Sequence, residues 1–301
     1  MIDGFASMTA LRVAMRRAAH QLRDSPLVFV DPLALRVVGA EIAAQLEAET
    51  AAPETELLAP FLRAFMAARS RFAEDALASA VNAGARQYVI FGAGLDTFAY
   101  RNPHEAEGLR VFEVDFPATQ VWKRERLAEA RIGIPSSLAF VPVDFERETL
   151  AQPLAAAGFK RGEFSFFSWL GVVPYLEQSS IRKTLEFVVD SSRTGSELIF
   201  DYAVPPETLN PVQRLVFERV AARVARAGEP WKTFFDPADL KRQLYSIGLD
   251  AIEDLDGGKI NARFFSGRAD GLRVGDVGRL LRARVRADAG SSREGETVGA
   301  S

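Results

Sequence analysis

The sequence predicts an α/β fold: a mostly parallel sheet with helices on both faces, preceded by a helical N-terminal cap. Three observations predict it. Up to residue 84 the chain carries only helical periodicity. Five short apolar runs then recur at intervals of roughly 25 to 30 residues, the spacing of β-α units. Segments of helical period separate them, and strands this short and uniformly apolar belong to a sheet covered on both sides.

Taken in order, Met8, Leu11, Met15, Ala18 and Leu22 fall three and four apart, one apolar stripe of an amphipathic helix. Asp31-Pro32 reads as a helix cap followed by a proline in the first turn. Leu58, Phe61, Leu62, Phe65, Phe72, Ala76, Leu77 and Ala80 form a second stripe, ended by Asn82-Ala83-Gly84. The predicted strands are Tyr88 to Phe91, Val111 to Val114, Ala139 to Val141, Phe164 to Trp169 and Leu198 to Phe200, with a helix over Glu177 to Ser192. Asp236-Pro237 starts another helix, which Gly248 stops. Ala251-Ile252 and Arg263-Phe264-Phe265 are expected to close the sheet as two strands around an Asp256-Gly257-Gly258 turn. Residues 287–301 offer nothing apolar to bury and are expected to be disordered. The organisation is therefore a cap over 1–84, an α/β domain over 85–286 and a tail, with no internal repeat.

Composition narrows the chemistry. Of 301 residues 48% are hydrophobic and 26% charged, with a formal net charge of −3. Positive residues are spread among acids, so neither nucleic acid nor an anionic membrane is an expected partner. There is no cysteine, which removes disulfides and thiolate chemistry, and only two histidines, His20 and His104, both expected at the surface. No metal site is expected. Arg12, Arg16 and Arg17 interrupt the start, which lacks a signal peptide's apolar core, and no stretch reaches the roughly 20 apolar residues of a membrane span. The expected location is cytoplasmic.

The main local signal is Phe91-Gly92-Ala93-Gly94-Leu95-Asp96-Thr97, after a strand and before an expected helix. Glycines at a strand end permit a tight turn and close ligand approach, although packing alone also produces such turns. The third glycine of a dinucleotide fingerprint would fall at Thr97 and is missing. Asp96 also places a carboxylate where a pyrophosphate would need helix N–H groups. That anion suits a ligand carrying an ammonium and a sulfonium, as S-adenosylmethionine does. Asp115 ends the next strand, 23 residues after Gly92, close to the spacing at which an acid accepts hydrogen bonds from ribose hydroxyls. Beside the glycine turn this reading is preferred to a solvated strand-end acid. Asp144 ends the following strand: it either accepts from an adenine amino group, with Phe145 offering its N–H and ring, or caps a helix starting at Glu146. Tyr175 and Tyr202, each just past a strand end, are candidates for the substrate side.

With these residues in view, most of the chain resembles the leucine carboxyl methyltransferase family and its bacterial relatives, which include polyketide carboxyl O-methyltransferases. AARSRF (67–72), VIFGAGLDTFAYR (89–101), FEVDFP (112–117), VPVDFE (141–146) and SWLGVVPYL (168–176) carry the resemblance, with weaker support from DPLA (31–34) and ARFFSGRADGL (262–272). It implies a Rossmann-like class I methyltransferase fold with S-adenosyl-L-methionine as cofactor. Arg69 would pair with the cofactor's methionine carboxylate, with Arg71 as rival. Gly92 and Gly94 would pass under the methionyl part, Asp115 would hold the ribose, and Asp144 and Phe145 would flank adenine. Many relatives carry an acid after the fourth strand, where this chain reads Ser168-Trp169-Leu170-Gly171; Trp169 packs either on the cofactor or in the core.

The implied reaction is an in-line displacement whose acceptor must be held opposite the sulfonium and kept from water. A carboxylate acceptor arrives ionised and needs no base, whereas a phenol benefits from one. The scarcity of histidine favours a carboxylate of a small apolar metabolite. Phe61, Phe65 and Phe72 of the cap are read as core rather than as acceptor contacts. A nicotinamide-dependent oxidoreductase, with the same strand–glycine–acid layout, and a non-catalytic S-adenosylmethionine-binding protein remain as alternatives.

Overall fold

A computed structural model describes residues 8–50, 52, 54, 56, 58–226 and 230–287. The N-terminal region is helical: α1 (Met8–Arg23), α2 (Ala34–Val37), α3 (Ala40–Thr50) and α4 (Ala59–Asn82). The five apolar runs form strands β1 (Gln87–Phe91), β2 (Arg110–Asp115), β3 (Leu138–Pro142), β4 (Ser165–Trp169) and β5 (Glu197–Ala203). Between them lie α5 (Pro117–Glu129), α6 (Ala151–Ala156) and α7 (Gln178–Ser191). After β5 come α8 (Pro211–Arg226), α9 (Pro237–Ile247), β6 (Leu249–Leu255), α10 (Gly257–Phe264) and β7 (Gly278–Val285). The expected tail at 287–301 lies outside the described residues except for Ala287.

These strands build one seven-stranded sheet in the order β3-β2-β1-β4-β5-β7-β6. β1 to β5 pair in parallel, and β7 inserts antiparallel between β5 and β6. The arrangement is a Rossmann-like α/β sheet. Side chains alternate across it. On one face Val89, Phe91, Phe112, Val114, Phe167, Phe200 and Tyr202 join a core with residues of α6, α7 and α9. On the other, Tyr88, Ile90, Val111, Phe166 and Ile199 join Phe72, Ala76, Leu77 and Ala80 of α4. β1, β4 and β5 are buried throughout, which explains the apolar runs at their centres.

Several local expectations fail for identifiable reasons. The segment Arg263-Phe264-Phe265 is not a strand, because Asp256 accepts a hydrogen bond from Lys259 N at 2.8 Å and starts α10 where a hairpin turn was expected. The sheet closes with β7 instead. After the glycine turn, Phe98–Tyr100 makes a single 3-10 turn rather than an α-helix. Pro103 restricts Asn102 and ends the helical path there, and α4 covers that part of the sheet. Asp236 does cap α9, accepting from Ala238 N and Asp239 N, and Gly248 ends it at φ +109°. Asp31 does not cap α2, whose N-cap is Leu33; it holds the preceding turn through Leu33 N. His20 is fully buried: Nδ1 meets Asp24 at 2.6 Å, and Nε2 accepts from Val28 N and Phe29 N. Among the described residues no helix is long and apolar enough to cross a membrane.

Candidate active site

In an open parallel sheet, ligands collect at the carboxyl ends of the strands, where the strand order reverses. Here that point lies between β1 and β4. A cavity of about 230 Å³ opens there. Its floor is the glycine turn after β1, and its walls are Asp115-Phe116 at the end of β2, Val143 to Arg147 after β3, and Ser168, Leu170 to Val172 and Tyr175 at and beyond the end of β4. One side of α1 and the middle of α4 roof it, and Lys232 lies at its rim.

The turn is shaped by backbone that only glycine adopts readily. Gly92 and Gly94 have φ of +66° and +46°. A Cβ on Gly92 would lie 2.2 Å from Val172 Cγ2, and one on Gly94 3.1 Å from Ala10 Cβ. The two glycines therefore let the β4 loop and α1 close onto the turn. Gly92 N and Ala93 N donate to Val114 O at 2.8 and 3.2 Å, fixing the turn to β2. Asp115, 8% exposed, accepts from Gly94 N at 2.5 Å and Phe116 N at 2.7 Å, one bond to each carboxylate oxygen.

Arg69 is buried on α4 and lines the cavity. Its Nη1 pairs at 3.2 Å with Asp201 of β5, which also accepts from Gly171 N. Gly171 has φ +71°, and a Cβ there would meet the Arg69 guanidinium at 2.7 Å. The carboxylate that meets the β4 loop thus comes from β5, although the loop itself has no acid. Arg71 points away, 52% exposed and paired with Asp75, so of the two arginines Arg69 alone lines the cavity.

At the other end, Asp144 and Phe145 line the wall. Asp144 accepts from Glu146 N at 2.9 Å, and its own N donates to Glu148. This is a turn and not the expected helix start, since α6 begins only at Ala151. Phe145 packs edge-on against Phe91, their centroids 6.0 Å apart, and stacks on Trp169 at 6.4 Å. Trp169 is 0% exposed and does not line the cavity. It supports Phe145 from within the core, which corrects the alternative in which it packs on the cofactor.

Tyr175 lines the cavity; Tyr202 does not. Tyr202 is buried on the opposite face of the sheet, and its hydroxyl donates to Asp254 at 3.1 Å. The pleat is the reason for both failures. Trp169 and Tyr202 stand on the face of Phe167 and Phe200, while Ser168 and Asp201, one residue earlier, face α4 and the site. Of the cap phenylalanines, Phe72 is 0% exposed in the core, and Phe61, Phe65 and Phe72 all lie off the cavity.

Sequence reasoning missed Arg17 and Asp201. Asp201 follows an apolar run at a strand end, the same signal that identified Asp115 and Asp144. Arg17 lies on the buried side of α1 with Ala14 and Ala18, where apolar periodicity passes over a charged residue. Below the turn, Glu113 and Lys123 form a buried pair at 2.7 Å, and burial pushes the Glu113 carboxyl up to about 7 although Lys123 opposes the shift.

Comparison with known proteins identifies the family and the fold. The model of the leucine carboxyl methyltransferase family matches residues 10–189. The chain is 35% identical over 288 residues to YktD of Bacillus subtilis, named as an S-adenosyl-L-methionine-dependent methyltransferase, covering 89% of this chain and 94% of that one. A protein of the same description from Mycobacterium sp. (strain JLS) is 31% identical over 248 residues, covering 79% of this chain and 77% of that one. In fold, the chain is similar to a DUF574 family protein of Streptomyces avermitilis, with TM-score 0.55 and 18% identity over 95% of this chain and all of that one. A Thermobifida fusca protein titled as a methyltransferase gives 0.54 and 18% over 95% of this chain and 97% of that one.

Proposed function

Since this chain belongs to the leucine carboxyl methyltransferase family and is an S-adenosylmethionine-dependent methyltransferase, we propose that it methylates a carboxylate oxygen of a small, largely apolar metabolite. The family assignment displaces the nicotinamide and non-catalytic alternatives. What carries the site reading is one cavity lined by complementary chemistry: the Arg69 fork for a carboxylate, Asp96 for an ammonium, Asp115 for vicinal hydroxyls, and Asp144 with Phe145 for an aromatic base. The bound cofactor supplies an activated methyl group on a sulfonium. Arg69 would then hold the methionine end of that ligand, Asp115 its ribose and Asp144 with Phe145 its adenine, while α1 and α4 shield the methyl group from water.

Both histidines lie away from the cavity, His20 enclosed by the N-terminal region and His104 in the loop after Pro103. A carboxylate suits this setting because it arrives ionised. The protein itself would act in the cytoplasm, without nucleic acid as partner. Labelled S-adenosylmethionine and a panel of apolar carboxylic acids and phenols test the proposal. Carboxylic acids are expected to accept label, with single-turnover transfer flat from about pH 6 to 8. Transfer only to phenols, rising about tenfold per pH unit, overturns the carboxylate reading.

A further inference from the structure

The buried junction between the N-terminal helices and the glycine turn is built around Arg17, Asp31, Glu74 and Arg101, charges that the proposed cofactor contacts do not use. Asp31, whose side chain is 0% exposed, accepts a hydrogen bond from Thr97 Oγ1 at 2.8 Å and pairs with Arg17 Nε at 2.8 Å. It also lies 3.6 Å from Arg101 Nε, and Arg101 in turn pairs with Glu74. From the same guanidinium, Arg17 Nη2 donates to Leu95 O at 2.5 Å, and Nη1 lies 3.9 Å from Asp96. Three successive residues of the turn, Leu95, Asp96 and Thr97, are thus held from outside by one Arg–Asp pair. Arg17 also lines the cavity from α1.

Burying these charges is expensive in itself, and an apolar contact would join α1 to the sheet at lower cost. What the pair adds is direction: a fork and a carboxylate hold the turn at one backbone carbonyl, Leu95 O, and at the Asp96 and Thr97 side chains, where apolar packing would leave it free to slide. The formal charges also matter. Arg17 and Arg101 face Asp31, Glu74 and Asp96, leaving one negative charge in excess. Asp96, the most exposed of the three acids at 27%, stands at the cavity. A ligand with a cationic centre beside Asp96 balances the set.

We propose that Arg17 and Asp31 are positioning residues for methyl transfer: through Leu95 O and the Asp96 and Thr97 side chains they fix the Leu95–Thr97 turn, and with it Asp96, against the methionyl part of the cofactor. This rests on the cofactor placement proposed above. It predicts damage confined to one end of the ligand. In Arg17→Met, calorimetry is expected to show S-adenosylmethionine binding weakened about tenfold or more, with 5′-methylthioadenosine, which lacks the amino-acid part, bound within about twofold of wild type. Arg17→Lys keeps the charge beside Asp31 but cannot span to Leu95 O as well, and should fall between wild type and Arg17→Met.

Should Arg17→Met fail to fold, Thr97→Val and Asp31→Asn carry the same test, since each removes one side of the junction and leaves Arg17 in place. Equal losses for both ligands, or no loss for either, in variants that fold overturn the positioning role. Asp115→Ala, run in parallel, separates the two ideas. If it weakens S-adenosylmethionine while the junction variants do not, only the positioning role falls. If it too leaves binding unchanged, the site itself is misplaced.

Discussion

At the end of the cavity beside α1 and α4, the wall is tied together by residues remote in sequence: Arg17 to Leu95 across 78 positions, Asp31 to Thr97 across 66 and Arg69 to Asp201 across 132. At the end beside β3, Asp144 meets Glu146, Arg147 and Glu148, two to four positions on. The first end exists only when helices and sheet have docked; at the second the bonds of Asp144 are local, and the longer ties are the Glu146–Lys232 pair and the Phe145 ring on the core. Binding chemistry and folding energy are therefore the same contacts at one end and nearly separate at the other. Substitutions at the two ends should differ in kind, not just in size.

The largest expected effect is that of Arg69→Met. It leaves Asp201 buried without its cation, a change that typically costs about 3 to 5 kcal/mol; contact with the cavity places this site toward the lower figure. Urea unfolding should show that loss, and Asp201→Asn added to Arg69→Met should recover much of the stability. Affinity for S-adenosylmethionine should stay low in the double variant, because neither asparagine nor methionine replaces the fork. Recovery of affinity along with stability would make Arg69 a structural residue and dissolve the contrast.

Asp115→Ala should act mainly on the ligand. Its bond to Gly94 N spans 21 positions, intermediate between the two ends. Loss of hydrogen bonds from ribose hydroxyls to a carboxylate should weaken cofactor binding by about 1.5 to 3 kcal/mol, roughly ten- to hundredfold by calorimetry. A variant that binds as wild type reduces Asp115 to a clamp on the glycine turn.

How much of this the sequence showed follows the same division. The five parallel strands were legible because each is a short apolar run, and Gly92, Gly94, Asp115 and Asp144 were legible because they sit within a few residues of a strand end. The strand-end rule places a residue at the correct edge but not on the correct face. Tyr202 and Trp169 were chosen where Asp201 and Ser168 face the site, a slip of one residue on a pleat of period two. Arg17 and Asp31 are charged groups buried by remote partners and His20 a polar one buried by partners within nine positions, and hydrophobic periodicity has no term for any of them. The Asp256-Gly257-Gly258 segment suits a hairpin turn or a helix start equally. Tertiary contact decides: a Cβ on Gly257 would sit 2.6 Å from Gly275 O, so the glycine serves the approach of that loop.

The smallest expected effect is that of Asp144→Ala. Its side chain is 22% exposed, and the bond it makes to Glu146 N lies in a surface turn, so stability should fall by no more than about 1 kcal/mol. Its effect on binding tests whether the acid reads the adenine or merely shapes the turn. An adenine amino group can donate to Asp144, while the oxo group of a hypoxanthine base cannot. S-adenosylhomocysteine should therefore lose roughly three- to tenfold in affinity for the variant, and S-inosylhomocysteine should bind wild type and variant alike. Asp144→Asn separates the two roles further, because the amide oxygen can still accept from Glu146 N while the carboxylate charge is gone. If both ligands weaken equally in Asp144→Ala and both recover in Asp144→Asn, the residue's function is to hold the turn under Phe145, and base recognition at this end passes to the Phe145 ring and backbone.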